Sequence, residues 1–352
     1  MSSRKYVIAA LSLASIGANQ AIAQSAPSSV AMFGIVDINF RSVKNGDQTI
    51  KQVASNGMSP SQFGFRGTED LGDGLQAGFW LEGAFFPDTG ATDPAKFFGR
   101  RSTISLAGSF GEVRLGRDQA PGYRNIATFD PFGNVGLGSG LTLVSSLGSG
   151  ASTLVRTDNA VAYFLPPIMT ANCTHAYREC GLYGHISMAA GEGIKGGEYR
   201  GGRLGYAVGA VNVAVGMAST KTATTDDFKV KNFGASYDFT QFKLMGLYNE
   251  SKWGARTHRV LGLGATVPVG QFLLRATMQR ADASGVGTDA NDARQWAIGS
   301  TYSLSKRTSL YGTYGHISNS GAAAFAVGTL PAASLATGKI SSGYEFGLRH
   351  AF

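Results

Sequence analysis

Alternation with a period of two, repeated along an exported chain, predicts an all-β protein: a 16-stranded antiparallel transmembrane β-barrel. Composition is the first observation behind that expectation. Charged residues are 15% of the chain and Gly is 49 of 352, against about 25% charged and about 7% Gly in an ordinary globular domain. Helical periodicity is scarce. The second observation is an export signal, and the third is a regular exchange of short turns and long polar loops. A soluble all-β sandwich uses the same alternation with its faces reversed, and is the competing fold.

The export signal occupies the first residues. Arg4 and Lys5 precede an apolar run from Tyr6 to Gly17, and Ala21-Ile22-Ala23 offers a small-residue cleavage site before Gln24. This is the pattern of a secretory signal peptide, too short and wrongly flanked for a membrane anchor. Residues 1–23 are therefore expected to be removed. Residues 24–352, a length of 352 − 23 = 329, then form one barrel domain. Losing Arg4 and Lys5 takes the formal charge from +8 to +6. No later stretch supplies the roughly 20 apolar residues that a membrane helix needs.

Strands are expected to start near Val30, Phe63, Leu75, Phe98, Glu112, Asn159, Leu182, Arg200, Val211, Lys229, Phe242, Arg259, Gln271, Gln295, Arg307 and Gly343. Tight turns fall at 70–74, 107–111, 240–241, 268–270 and 305–306, each carrying residues that tolerate turn dihedrals. Longer segments at 42–60, 87–95, 120–152, 191–198, 220–227, 281–292 and 319–339 are rich in Gly, Ser, Thr, Ala, Asp and Asn, and are expected to be external loops. Sixteen strands of about ten residues use about 160 residues, leaving as many for connections. An even number puts both termini on the periplasmic side.

The two faces separate along each strand. Val211, Val213, Val215 and Met217 alternate with Asn212, Ala214 and Gly216; Phe63 and Phe65 alternate with Gln62, Gly64 and Arg66; Glu112 and Arg114 share a face opposite Val113 and Leu115. Export, size and strand count together put lipid on the apolar side and water on the polar side. Lys and Arg sit singly within strands, the pattern of a charged lining, and no nucleic-acid partner is expected. The last strand ends on Phe352, with Tyr344, Phe346 and Leu348 on its parity. A strand this regular at a chain end must pair on both edges, and its second partner is the first strand, Val30 to Arg41.

Several stretches carry a family resemblance. They are Phe33-Gly34-Ile35-Val36-Asp37, Phe65-Arg66-Gly67-Thr68-Glu69-Asp70-Leu71-Gly72, Leu75 to Glu82, Phe110-Gly111-Glu112-Val113-Arg114-Leu115-Gly116-Arg117, and the closing Gly347-Leu348-Arg349-His350-Ala351-Phe352. Together they span the mature chain and resemble the trimeric general porins of the sixteen-stranded beta-proteobacterial outer-membrane type. The resemblance implies a homotrimer with one water-filled pore per chain, passing small hydrophilic solutes without catalysis or cofactor. It implies that Phe352 is a sorting signal for the outer-membrane assembly machinery. It also implies a third external loop, here 120–152, folded inward. Asp118 stands at the root of that loop and Asp130 within it. A disordered surface loop is the competing reading, and the Gly/Ser-rich half from Val135 to Ser152 would suit it.

The resemblance further implies arginines around the constriction. Arg100 and Arg156 match two of those positions, Gln62 stands where a third arginine is expected, and Glu82 matches an acidic lining position. A modest anion preference follows, weakened by Gln62. Strand parity selects Arg101 over Arg100, because Ile104 and Leu106 should face lipid; a bulge after Phe98 would reconcile the two. The alternative function is a substrate-specific porin for organic acids, sugars or peptides. Fixed positive charge in a narrow channel raises the local anion concentration in either case.

Other chemistry finds little support. Cys173 and Cys180 sit in an unusually long stretch from Pro166 to Glu179, and an oxidising periplasm favours a disulfide between them. His175 and His185 lie nearby but lack zinc-ligand spacing, so no metal is expected. Ser-rich stretches lack a nucleophile elbow, and Gly136-Leu137-Gly138-Ser139-Gly140 does not join a strand to a helix. Asp282, Asp289 and Asp292 match no calcium-loop pattern. The expected surroundings are outer-membrane lipid and lipopolysaccharide.

Overall fold

The computed structural model describes residues 28–166, 179–193, 195–328 and 330–352. The expected signal peptide, Cys173 and His175 lie outside these residues. None of the described helices is long and apolar enough to cross a membrane, and the crossing falls to strands. In chain order these are β1 (Ser29–Asn45), β2 (Gln48–Ser55), β3 (Gln62–Gly72), β4 (Leu75–Phe86), β5 (Ala91–Thr92), β6 (Arg101–Gly108), β7 (Gly111–Gln119), β8 (Arg156–Phe164) and β9 (Gly181–Ala189). The second half adds β10 (Tyr199–Val208), β11 (Val211–Thr220), β12 (Phe228–Asp238), β13 (Lys243–Trp253), β14 (Arg256–Val269), β15 (Phe272–Ser284), β16 (Ala293–Ser303), β17 (Thr308–Asn319) and β18 (Ile340–Ala351). One α-helix, α1 (Pro121–Thr128), lies between β7 and β8.

Eighteen strands make a sixteen-stranded wall. β5 is a two-residue pairing at the end of β4, outside the ring. β2 and β3 pair with the upper and lower halves of β1, respectively, and together fill one wall position. Every other neighbour is antiparallel and next in sequence until β18 meets β1. The 42–60 segment is thus largely strand. β1 runs on to Asn45, turns at Gly46 and Asp47, and returns as β2. Burial alternates from Ile50 to Ala54, while hydropathy along the same stretch does not.

The break between β2 and β3 has its own anchor. The chain from Asn56 to Ser61 leaves the ladder, so its amides need other acceptors. Asp37, fully buried on β1, takes the amides of Gly57, Met58 and Ser59 at 3.1, 2.9 and 2.7 Å. The Tyr311 hydroxyl on β17 donates to the same carboxylate at 2.5 Å. One inward carboxylate therefore ties the interruption to the wall.

Outside the ring, apolar side chains stand in the open. Ile104, Met217 and Met278 are each 61% exposed, while their neighbours Thr103, Gly216 and Thr277 are buried. A soluble protein would leave this band wet, and lipid is its natural solvent. The five tight turns expected from sequence all join consecutive strands at one rim.

The seam is closed to the last residue. Ile35 to Asn45 pairs with Ala351 to Ser341, and beyond that ladder Phe352 and Gly34 exchange two backbone hydrogen bonds, at 3.0 and 3.1 Å. The Phe352 ring lies over Gly34, where a Cβ would collide with it. Gly34→Val should therefore destabilise the barrel by about 1–3 kcal/mol through overpacking. Pairing it with Phe352→Ala should restore most of the loss, as read by urea unfolding in detergent. Equal stability of Gly34→Val and wild type would remove the ring contact from the account.

Candidate pore constriction

The connection from β7 to β8 turns into the barrel. Pro121 suits the first turn of α1, where its missing amide costs nothing. Asn125, fully buried, donates to Ala214 O and to Asn232 Oδ1 at 3.3 and 2.9 Å, and accepts from Arg203 Nε at 2.8 Å. Asn232 in turn donates to Gly122 O at 3.0 Å. The helix is thereby fixed to the inner faces of β10, β11 and β12.

Beyond the helix, the loop follows a track of small residues. A Cβ on Gly234 would collide with the Phe129 ring, one on Gly264 with Pro131, one on Gly299 with Phe132 and one on Gly315 with Leu137. Glycine on β12, β14, β16 and β17 thus leaves room for the loop to lie flat on the wall. Leu137 and Leu143 are fully buried, so the Gly/Ser-rich half is packed against the lumen wall rather than exposed. Gly136 and Gly138 are small because the loop passes over Gly57 and under Phe132. The last external loop also folds down. Val327 is fully buried, and the Val327 amide donates to Ser341 Oγ at 3.1 Å.

Asp130 organises the loop from within. It accepts the amides of Phe132, Asn134 and Gly140 at 3.2, 2.7 and 2.8 Å and is 7% exposed. Burial pushes its carboxyl above the ordinary range, opposed by those three amides. Asp130 was expected to line the pore; its oxygens are instead turned into the loop, because a reversing backbone has amides to satisfy. The middle of the loop rests on a buried ion pair. Arg41 Nε and Nη2 both donate to Glu345 Oε2, at 3.0 and 2.6 Å, while Glu345 Oε1 takes the Leu137 amide at 3.2 Å.

With the loop laid along β10 to β18, the opposite wall carries the charge. Arg100 Nε meets Glu82 Oε1 at 2.6 Å, Arg156 Nε donates to Arg100 O at 2.9 Å, and Trp80 Nε1 donates to Glu82 Oε2 at 2.9 Å. The contest between Arg100 and Arg101 resolves without a bulge after Phe98. β6 begins at Arg101, which pairs with Glu82 and shares the inward parity of Thr103. Arg100 precedes the strand, donates its own amide to Glu82 O at 3.0 Å, and so is free to swing its side chain inward as well.

Arg101 and Arg114 converge on Asp118, at 3.9 and 2.5 Å, and Arg114 also takes Glu112 at 2.8 Å. Arg66 and Arg101 stack on Trp80, 5.1 and 4.5 Å from its ring centre. Gln62 shares the inward parity of Arg66 on β3. The loop side adds Arg124 on α1 and Arg203 on β10, the latter paired to Glu179 at 2.6 Å. Sequence reasoning left Arg203 unassigned, although the inward parity of Tyr199 and Arg203 would have found it. His185 stacks on Phe164 at 4.4 Å. Arg66, Arg100, Arg101, Arg114, Arg124, Arg156 and Arg203 face Glu82, Glu112, Asp118 and Glu179, a balance of 7 − 4 = +3. Trp80, Arg66, Arg101, Arg114 and Arg203 border one cavity of about 820 Å³ within the lumen.

A closed barrel in lipid, with a polar lumen narrowed by its own loop, is a passive outer-membrane pore. Comparison with known proteins agrees. A family model described as Gram-negative porin matches residues 8–322. The chain is 36% identical to Outer membrane porin protein 32 of Delftia acidovorans, over 99% of this chain and all of that protein. It is 28% identical to an outer membrane porin protein of Bordetella pertussis, over 82% and 89% of the two chains. The solved anion-selective porin from Comamonas acidovorans superposes with a TM-score of 0.80 at 33% identity, covering 93% of this chain and all of the other. OmpT of Vibrio cholerae, solved in a trimer form, shares the fold at a TM-score of 0.67 and 15% identity, with 92% and 99% coverage. The chain belongs to the Gram-negative porin family. It is a channel of the outer membrane and not an enzyme.

Glu345→Gln should lower barrel stability by about 3–5 kcal/mol, because Arg41 is left buried without its counter-charge. The apolar pair Arg41→Met with Glu345→Leu should recover much of that loss. Urea midpoints of the folded barrel check both, and an unchanged midpoint for Glu345→Gln would exclude an anchoring role.

Proposed function

We propose that the pore favours small anions, and that Arg100, Arg156 and Glu82 form its constriction with Arg101, Arg114 and Asp118 beside them. The excess of arginine over carboxylate on the wall opposite the loop is the observation that carries this reading. Net positive charge in a narrow lumen with low-dielectric walls concentrates anions and repels cations. The similar porin from Comamonas acidovorans is itself named anion-selective, and this supports the same sense of preference here. Three of these arginines share their charge with a carboxylate, so the preference is modest.

The finer partners belong to the same proposal. The chain assembles as a homotrimer within outer-membrane lipid and lipopolysaccharide, after removal of residues 1–23. Phe352 is recognised by the outer-membrane assembly machinery, and Cys173 pairs with Cys180 in the periplasm. A trimer predicts a slow gel band without heating that collapses to the monomer on boiling.

Planar-bilayer recordings of charge variants test the lining. Arg100→Ala and Arg156→Ala should each lower the chloride-to-potassium permeability ratio roughly two- to fivefold, the effect of one unit charge at about 4–8 Å in a water-like medium. Gln62→Arg should raise it. Unchanged selectivity in all three would leave the constriction unassigned.

A further inference from the structure

The inward loop is also held from the opposite rim. Glu179 stands two residues ahead of β9, on the rim that carries the tight turns, with its side chain 6% exposed and facing the lumen. Cys180 beside it is buried and disulfide-bonded. Gly181 then turns the chain into β9 at φ 60°, a left-handed conformation that glycine adopts without steric cost. A carboxylate buried this deeply needs paired and hydrogen-bonded partners.

Those partners belong to the pore. Arg203 on β10, its side chain 2% exposed, divides its fork between the connection and the helix. Nη1 donates to Glu179 Oε1 at 2.6 Å, Nε to Asn125 Oδ1 at 2.8 Å and Nη2 to Thr128 Oγ1 at 3.0 Å. Asn125 and Thr128 both lie on α1. Thr128 Oγ1 donates to Arg124 O at 3.0 Å and lies 3.4 Å from Glu179 Oε1. Thr128 is also the last residue of α1, where a cation meets the negative end of the helix dipole.

The other hydrogen bonds described above from α1 to the wall are amide contacts. The Glu179–Arg203 pair brings charge to the same task, and charge-assisted bonds are roughly twice as strong as neutral ones. Both residues border the cavity that Arg66, Arg101 and Arg114 share. Arg124 lies within electrostatic reach of both. Glu179 thus stands between two guanidinium groups of the lumen, and its charge offsets one of them.

We propose that Glu179 is a positioning and specificity-determining residue of the pore. Its hydrogen bonds lock Arg203 into α1 and so fix the start of the inward loop. Its charge cancels one positive charge in the lumen and thereby limits the preference for anions. The inference rests on the anion reading given above. It adds a residue from the β8–β9 connection, outside the constriction, whose charge and hydrogen bonds can be removed separately.

The test records single channels of the full barrel in a planar bilayer, above neutral pH, across a potassium chloride gradient. Glu179→Gln keeps an acceptor for Arg203 and removes the charge. It should raise the chloride-to-potassium permeability ratio about twofold, the effect of one unit charge at about 8 Å in a water-like medium. Arg203→Gln should lower the ratio, and the double variant should return it close to wild type. A loosened helix would move both single variants the same way, so opposite signs identify the charge. Glu179→Ala removes the acceptor as well, and should add open-channel noise that Glu179→Gln lacks. Shifts of one sign in both singles, no shift in Glu179→Gln, or a double variant that keeps that shift would overturn the charge role. Glu179→Ala as quiet as Glu179→Gln would overturn the locking role. Where one single variant fails to fold, the other still gives the sign against the double, which carries no unpaired buried charge. A potassium-favouring wild type would sink the anion reading, while the differences between variants would still judge Glu179.

Discussion

The structure depends on one requirement: no backbone amide or carbonyl can be left open to hydrocarbon. An open sheet of this size would expose two unpaired edges, each polar group costing several kcal/mol in lipid. The seam between β1 and β18 removes both edges. Its ladder runs from Asn45 and Ser341 down to Ile35 and Ala351, and continues through the Phe352–Gly34 backbone pair. The interruption between β2 and β3 obeys the same rule by other means. Asp37 supplies the acceptor that the missing ladder would have provided.

Closure creates a lumen, and the lumen is then asymmetrically filled. Glycines on β12 to β17 admit the inward loop on one side, where Asp130 fixes its internal turns and Glu345 holds its middle at Leu137. The opposite wall, from β3 to β8, carries Arg66, Arg101 and Arg114 on its inward parity, with Arg100 and Arg156 at the strand ends. Selectivity in this account is therefore a consequence of packing. The loop covers a wall whose charges are paired, Arg41 with Glu345 and Arg203 with Glu179, and in the proposed reading leaves the arginine-rich wall to line the passage. Aromatic stacking on Trp80 supports both Arg66 and Arg101; Arg101 also pairs with Asp118, whereas the stack on Arg66 brings no counter-charge.

Much of this architecture was legible in period-two alternation. The turn residues and the parity of Val211 to Met217 set strand order and facing, and Phe352 pointed to the seam. Loops were harder. The β2 hairpin was hidden because Thr49 to Ser55 mixes polar and apolar residues on both faces, with Ile50 on one and Val53 on the other, so alternation in burial was not mirrored by alternation in hydropathy. The packing of Val135 to Ser152 was hidden because the buried Leu137 and Leu143 stand isolated among Gly and Ser, and composition alone cannot distinguish that from a solvated loop. Asp130 was misplaced for a related reason: backbone amides in a reversing loop compete for carboxylates, and their positions are not written in spacing. Arg203 and the Arg41–Glu345 pair had the correct parity and lacked only a motif to draw attention to them. The Arg100 and Arg101 contest needed the start of β6, a strand end, where sequence signals are weakest.

The central claim is that a net positive wall, set by where the loop lies, makes this pore prefer anions. The zero-current potential of the purified protein in a planar bilayer, measured across a potassium chloride gradient, tests it most directly. Stepwise conductance with a chloride-favouring potential is the predicted result. A potassium-favouring potential would contradict the claim, leaving a porin whose selectivity is governed by Glu82 and Asp118 rather than by the arginines around them.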